Sequence, residues 1–92
     1  MITCKFNVEK QEVTISGHAM FAPKGQDLVC AAVTGITFGA ANYIAFKDSG
    51  ICSQGVNHLY IKFKDARDMD MMMYQLKTIE LSYPKNLKLV EE

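Results

Sequence analysis

Asp27-Leu28-Val29-Cys30-Ala31-Ala32-Val33-Thr34-Gly35-Ile36-Thr37-Phe38-Gly39-Ala40-Ala41-Asn42-Tyr43-Ile44-Ala45-Phe46 is the stretch on which the fold turns. It is apolar nearly all round, so its spacing predicts a helix over 27–46 that is buried on more than one side. Asp27 is a good N-cap, because its carboxylate can accept from the unpaired N–H groups of the first turn. Gly35 and Gly39, four apart, strip side chains from one face and permit close approach of another backbone. The cost is about 1 kcal/mol of helix propensity each. Lys47-Asp48-Ser49-Gly50 stops the helix.

Before this helix the pattern has period two. Ile2, Cys4, Phe6 and Val8 alternate with Thr3, Lys5 and Asn7, which predicts a half-buried strand. Glu9-Lys10-Gln11-Glu12 is a polar break, read as a hairpin. Val13, Ile15 and Gly17 then alternate with Thr14, Ser16 and His18, giving a second strand antiparallel to the first. From Ala19 to Gln26 no period is visible, and Pro23 and Gly25 mark a loop.

After the helix, Ile51 and Ser53, then 56–63, predict two more strands around Gln54-Gly55. Asp65 or Asp68 caps a second helix running to about Leu81, with Met69, Met72, Met73, Leu76 and Ile79 facing inward. Leu87 and Leu89 alternate with Lys88 and Val90, which fits a final edge strand. The order β-β-α-β-β-α, with a possible last β, implies an α+β fold. We expect two layers, a largely antiparallel sheet and two helices, in a single domain spanning 1–92.

Ten basic side chains balance ten acidic ones. A net charge of zero argues against direct nucleic-acid binding through phosphate contacts. No apolar run is expected to reach the ~20 residues of a bilayer span, so no membrane partner is expected. Met1-Ile2-Thr3-Cys4-Lys5 has no basic segment followed by an apolar core, as a signal peptide would. The expected location is cytoplasmic. Cys4, Cys30 and Cys52 are odd in number and lack paired short spacing, so they are read as free thiols.

Chemistry is concentrated between Gly17 and Cys30. With Asp27 as N-cap, Cys30 is the third helical residue, where backbone N–H groups lack acceptors and the helix dipole favours an anion. A cysteine there tends toward thiolate, and thiolate is the nucleophile. An imidazolium from His18 would stabilise it further and could protonate a leaving amine. Each residue also has a plainer reading. Cys30 can be a packed core thiol, His18 a polar strand-end residue, and Asp27 a helix cap rather than a carboxylate that steadies His18. His18, Asp27 and Cys30 could ligate zinc, but the paired ligand spacing of zinc sites is missing, so no metal is expected. Cys4 is read as core, Cys52 as a packed or half-exposed strand thiol, and His58 as an exposed strand residue. The run Met69, Met71, Met72 and Met73 must point partly outward, which a subunit interface would explain.

Gly17-His18-Ala19, followed by a glycine-containing loop and Asp27-Leu28-Val29-Cys30-Ala31-Ala32-Val33, resembles the paired motif of the ribosomal-processing cysteine protease (Prp) family. The resemblance implies a cysteine endopeptidase that removes the N-terminal extension of large-subunit ribosomal protein twenty-seven, cutting after a phenylalanine and before a small residue. It implies Cys30 as nucleophile, His18 as general acid and base, and Asp27 in support. It places Gly17, Phe21, Gly25 and Thr34 at the substrate, with Gly17 letting the backbone pass closely beside the site. Residues 19–26 resemble a mobile cover over the cleft. Phe21 stands where an aromatic residue, often tyrosine, is usual, and Thr34 where serine is common. The family is typically homodimeric and uses no cofactor. The rival expectation is a non-enzymatic, ribosome-associated binding or dimerisation module with a silent Cys30.

A thiol reagent separates the two. A catalytic Cys30 alkylates readily near neutral pH, at a rate that falls when His18 is replaced by alanine. A packed and silent Cys30 resists until the chain unfolds.

Overall fold

A computed structural model describes residues 1–17, 28–55 and 58–92. The elements are β1 (Ile2–Asn7), β2 (Glu12–Ser16), α1 (Leu28–Lys47), β3 (Gly50–Gly55), β4 (His58–Phe63), α2 (Ala66–Ser82) and β5 (Leu87–Glu91). The expected order is found, and the final strand forms. The five strands make one sheet in the order β3-β4-β2-β1-β5. All neighbours are antiparallel except β1 and β5, which run parallel. This is the expected two-layer α+β arrangement.

Alternation decides which side chains reach the helices. Ile2, Cys4 and Phe6 of β1, Val13 and Ile15 of β2, and Leu59, Ile61 and Phe63 of β4 are buried. They meet Val29, Cys30, Val33, Ala41 and Ile44 of α1 and Met69, Met72, Met73 and Leu76 of α2 in one core. Each large side chain so buried contributes about 1.5–3 kcal/mol. The other sheet face carries polar residues; there the Tyr60 hydroxyl donates to the Glu12 carboxylate. Thr37 is the one buried polar residue noted among the described residues, and its hydroxyl donates to the Val33 carbonyl one turn earlier at 2.9 Å.

Several expectations need correction. Val8 is 47 % exposed rather than on the inner face. β1 ends at Asn7, whose Oδ1 accepts from the Lys10 N–H at 3.0 Å and turns the chain early. β2 ends at Ser16, because Gly17 leaves the strand at φ +112°. α1 spans 20 residues and is long and apolar enough, by length and composition, to cross a membrane. The expectation that no apolar run reaches that length therefore fails. The same pattern arises in a core helix, and here Val29, Cys30, Val33, Thr37, Ala41 and Ile44 are buried within the fold.

Asp65, not Asp68, caps α2. Its carboxylate accepts from the Arg67 N–H at 2.9 Å and grips the Arg67 guanidinium with both oxygens. The guanidinium beside it lowers the Asp65 carboxyl pKa. Asp65→Ala is expected to lower the urea midpoint of unfolding, and Asp68→Ala to lower it less.

Candidate functional site

Cys30 is the third residue of α1 and lies in its first turn, as its sequence position implies. The amide groups of that turn have no acceptor one turn earlier within the helix, so this end of α1 favours negative charge. The thiol is 5 % exposed and belongs to the core cluster with Val29 and Val33. Thr34, one turn later on the same side of the helix, is half-buried. Cys30 and Thr34 are thus brought together by the helical repeat. His18, Phe21, Gly25 and Asp27, and the cover expected over 19–26, lie outside the described residues. Of the three zinc-ligand candidates, only Cys30 is among those described.

Gly17 marks the end of β2 from which the chain leads to His18. At φ +112° its backbone is one that L side chains rarely adopt. A Cβ there would stand 2.4 Å from the Met1 carbonyl oxygen and 3.0 Å from the Ile2 Cα. Among the described residues, the backbone that comes close to Gly17 is the start of β1.

The register adds a residue to which the sequence reading gave no role. Ser16 of β2 pairs with His58 of β4, so an exposed imidazole stands at the same sheet end as Gly17. Its ring lies over Gly55, where a Cβ would meet the ring at 2.1 Å. Nothing along the chain signals this neighbourhood, because β2 and β4 are separated by α1 and β3.

The other thiols have different surroundings. Cys4 is fully buried at the centre of β1. Burial, and to a smaller extent the Glu80 carboxylate, push its pKa up to about 12. A thiol so held is a packing group. Cys52 on β3 is half-buried, and its Sγ donates to the Ala41 carbonyl at 3.8 Å. Both match their expected roles. A groove of about 500 Å³ lies between the outer flanks of α1 and α2, lined by Gly35, Gly39, Tyr43, Met71, Met72 and Gln75 among others. Cys30 does not line it.

The sequence profile described as cysteine protease Prp matches residues 1–88. This chain belongs to the cysteine protease Prp family. It is 41 % identical over 87 residues to the ribosomal processing cysteine protease Prp of Mycoplasma pneumoniae, covering 88 % of this chain and 87 % of that protein. It is 34 % identical over 88 residues to the Prp of Bacillus subtilis, covering 80 % and 79 %. The fold matches the crystal structure of the essential ribosomal processing protease Prp from S. aureus in complex with a covalently linked product peptide. There the TM-score is 0.77 at 28 % identity, with both chains fully covered. A second S. aureus Prp structure, in complex with a substrate peptide, matches with a TM-score of 0.74 at 26 % identity, covering 99 % of this chain and 97 % of that one. Membership makes this Prp-family protein a cysteine protease rather than a silent binding module.

The pKa of Cys4 carries a stability prediction. The unfolded thiol ionises near 9.0 and the folded one near 12, so between these values the folded state retains the proton. The contribution is fully present below pH 9 and is lost as pH rises toward 12. Urea midpoints are expected to fall over that window in the wild type and to fall less steeply in Cys4→Ala. Equal slopes in the two proteins would contradict this.

Proposed function

We propose that this Prp-family protein is the endopeptidase that removes the N-terminal extension of large-subunit ribosomal protein twenty-seven, using a Cys30–His18 dyad. The observation that carries the reading is the position of Cys30 in the first turn of α1, in a chain that matches the family over nearly its whole length. The Cys30 thiolate attacks the carbonyl of the scissile bond, and the backbone N–H groups at the helix start face the negative oxygen that forms. His18 protonates the departing amine and then activates the water that releases the acyl group. Asp27 supports the helix start and the imidazole. Gly17, Phe21, Gly25 and Thr34 contribute to the substrate site.

The reaction needs no metal or organic cofactor: thiolate, imidazole and backbone amides supply nucleophile, acid–base group and oxyanion donors. The protein works in the cytoplasm, where its ribosomal-protein precursor is made, and acts on neither nucleic acid nor membrane.

The proposed assembly is a homodimer. Its support is the outer helical face, where Tyr43, Met71 and Tyr74 are about half to two-thirds exposed and Phe46 is 86 % exposed. Gly35 and Gly39 leave open space on the same face, with nothing within 4 Å of where a Cβ would stand. A facing helix can enter there.

Cleavage of the host ribosomal protein precursor tests the reading. The wild type is expected to release the extension. Cys30→Ser abolishes the cut, and His18→Ala lowers kcat/KM by about 10²–10⁴-fold. No cut by the wild type, or an undiminished cut by both variants, refutes the assignment.

A further inference from the structure

The two edges of the sheet are not equivalent. On β5 the outward N–H of Leu89 donates to Glu80 Oε2 at 2.7 Å, so α2 closes that edge with a carboxylate. β3, at the other edge, pairs among the described residues only with β4. The Lys64 N–H donates to the Ser49 carbonyl at 2.9 Å, which fixes the phase of this antiparallel pair. Ser49, Ile51, Ser53 and Gly55 therefore direct their backbone groups at β4, and Cys52 and Gln54 direct theirs away from the sheet. The Phe63 N–H, donating to the Gln11 carbonyl on the far side of β4, has the same phase. A strand edge with outward N–H and C=O groups is a template for another extended chain.

The direction of β3 gives that edge a purpose. Gly50 lies beside Ile44, and Cys52 donates to the Ala41 carbonyl, so β3 runs back along α1 toward its N-terminus. From Cys52 to Gly55 is about 10 Å of strand. The same distance back along the helix from Ala41 reaches Thr34, about 6 Å short of Cys30.

We infer that the free edge of β3 is the docking strand for the substrate polypeptide, which binds in extended form through the backbone groups of Cys52 and Gln54. This rests on the protease reading above and says where the substrate lies. The added strand leads its scissile bond past Gly55 toward the first turn of α1. Alternate side chains of the bound segment fall on the open side of the sheet beside Ile51, which is 63 % exposed and suits an apolar residue. Backbone pairing supplies affinity, and such side-chain contacts supply selectivity.

The test uses the full chain and a synthetic peptide of the precursor's N-terminal extension that crosses the cleavage junction. In Cys30→Ser, the peptide is expected to slow amide exchange at Cys52 and Gln54 by about tenfold or more, with no such change at Gly35 or Gly39. In an otherwise wild-type chain, Gln54→Pro removes one outward donor without touching the bonds to β4, and KM is expected to rise about tenfold, with a much smaller effect on kcat. Peptides N-methylated at alternate backbone nitrogens read the same pairing with the protein unaltered: methylation in one phase weakens binding about tenfold, and in the other does not. Unchanged KM in Gln54→Pro, peptide N-methylation without phase dependence, or protection at Cys52 and Gln54 that is already present without peptide and grows with protein concentration would each overturn the inference. The last result would assign the edge to a second copy of the chain. Failure of the wild type to cut the peptide would instead overturn the substrate reading, and the inference with it.

Discussion

The fold depends on how α1 is seated. Val33, Thr37, Ala41 and Ile44 anchor one side of a long apolar helix on the sheet, and Cys30 continues that side into the first turn. The same packing that stabilises the domain therefore fixes the position of the thiol. A cysteine elsewhere in this chain has no equivalent surroundings. Cys4 is enclosed in the centre of a strand, where burial holds it neutral. Cys52 is on an edge strand and bonds weakly to a helix carbonyl. Cys30 alone of the three stands in the first turn of a helix, the end at which the helix dipole favours negative charge. The difference between the three is one of backbone geometry, not of residue type.

Seating α1 this way leaves two kinds of unsatisfied surface. The outer helical flanks present methionine, tyrosine and phenylalanine side chains around a glycine-floored groove. The β3 edge presents backbone hydrogen-bonding groups. The first suits a partner that supplies apolar side chains, the second a partner that supplies an extended backbone. A domain of 92 residues has limited core to spare, so surface committed to partners is a substantial share of its structure. The open edge lies on the strand that runs back toward the first turn of α1, which ties substrate docking to the helix that holds the thiol.

The elements were largely legible in the sequence because their periods are clear. Alternation in 2–7 and 58–63, and the inward spacing of Met69, Met72, Met73 and Leu76, are direct consequences of strand and helix geometry. Boundaries were less legible. Val8 continues the apolar alternation, yet Asn7 turns the chain before it can be buried. Asp65 and Asp68 are equivalent as letters, and only the bond to the Arg67 amide separates them. The position of Cys30 followed from the capping pattern, but its degree of burial depends on what packs over the first turn. The Ser16–His58 pairing and the outward phase of β3 were not legible at all. Both depend on strand order, which joins residues that the sequence keeps about forty positions apart or distinguishes only by register.

The central claim is that the peptide bond is cut by attack of Cys30 sulfur. Acid quenching of the wild-type protein during turnover of the ribosomal-protein precursor, followed by mass analysis of the cysteine-containing fragments, tests it most directly. The account predicts a thioester that links the released N-terminal extension to Cys30 and decays as free product appears. Turnover with Cys30 unmodified at every time, or an acyl group on Cys4 or Cys52 instead, would contradict it.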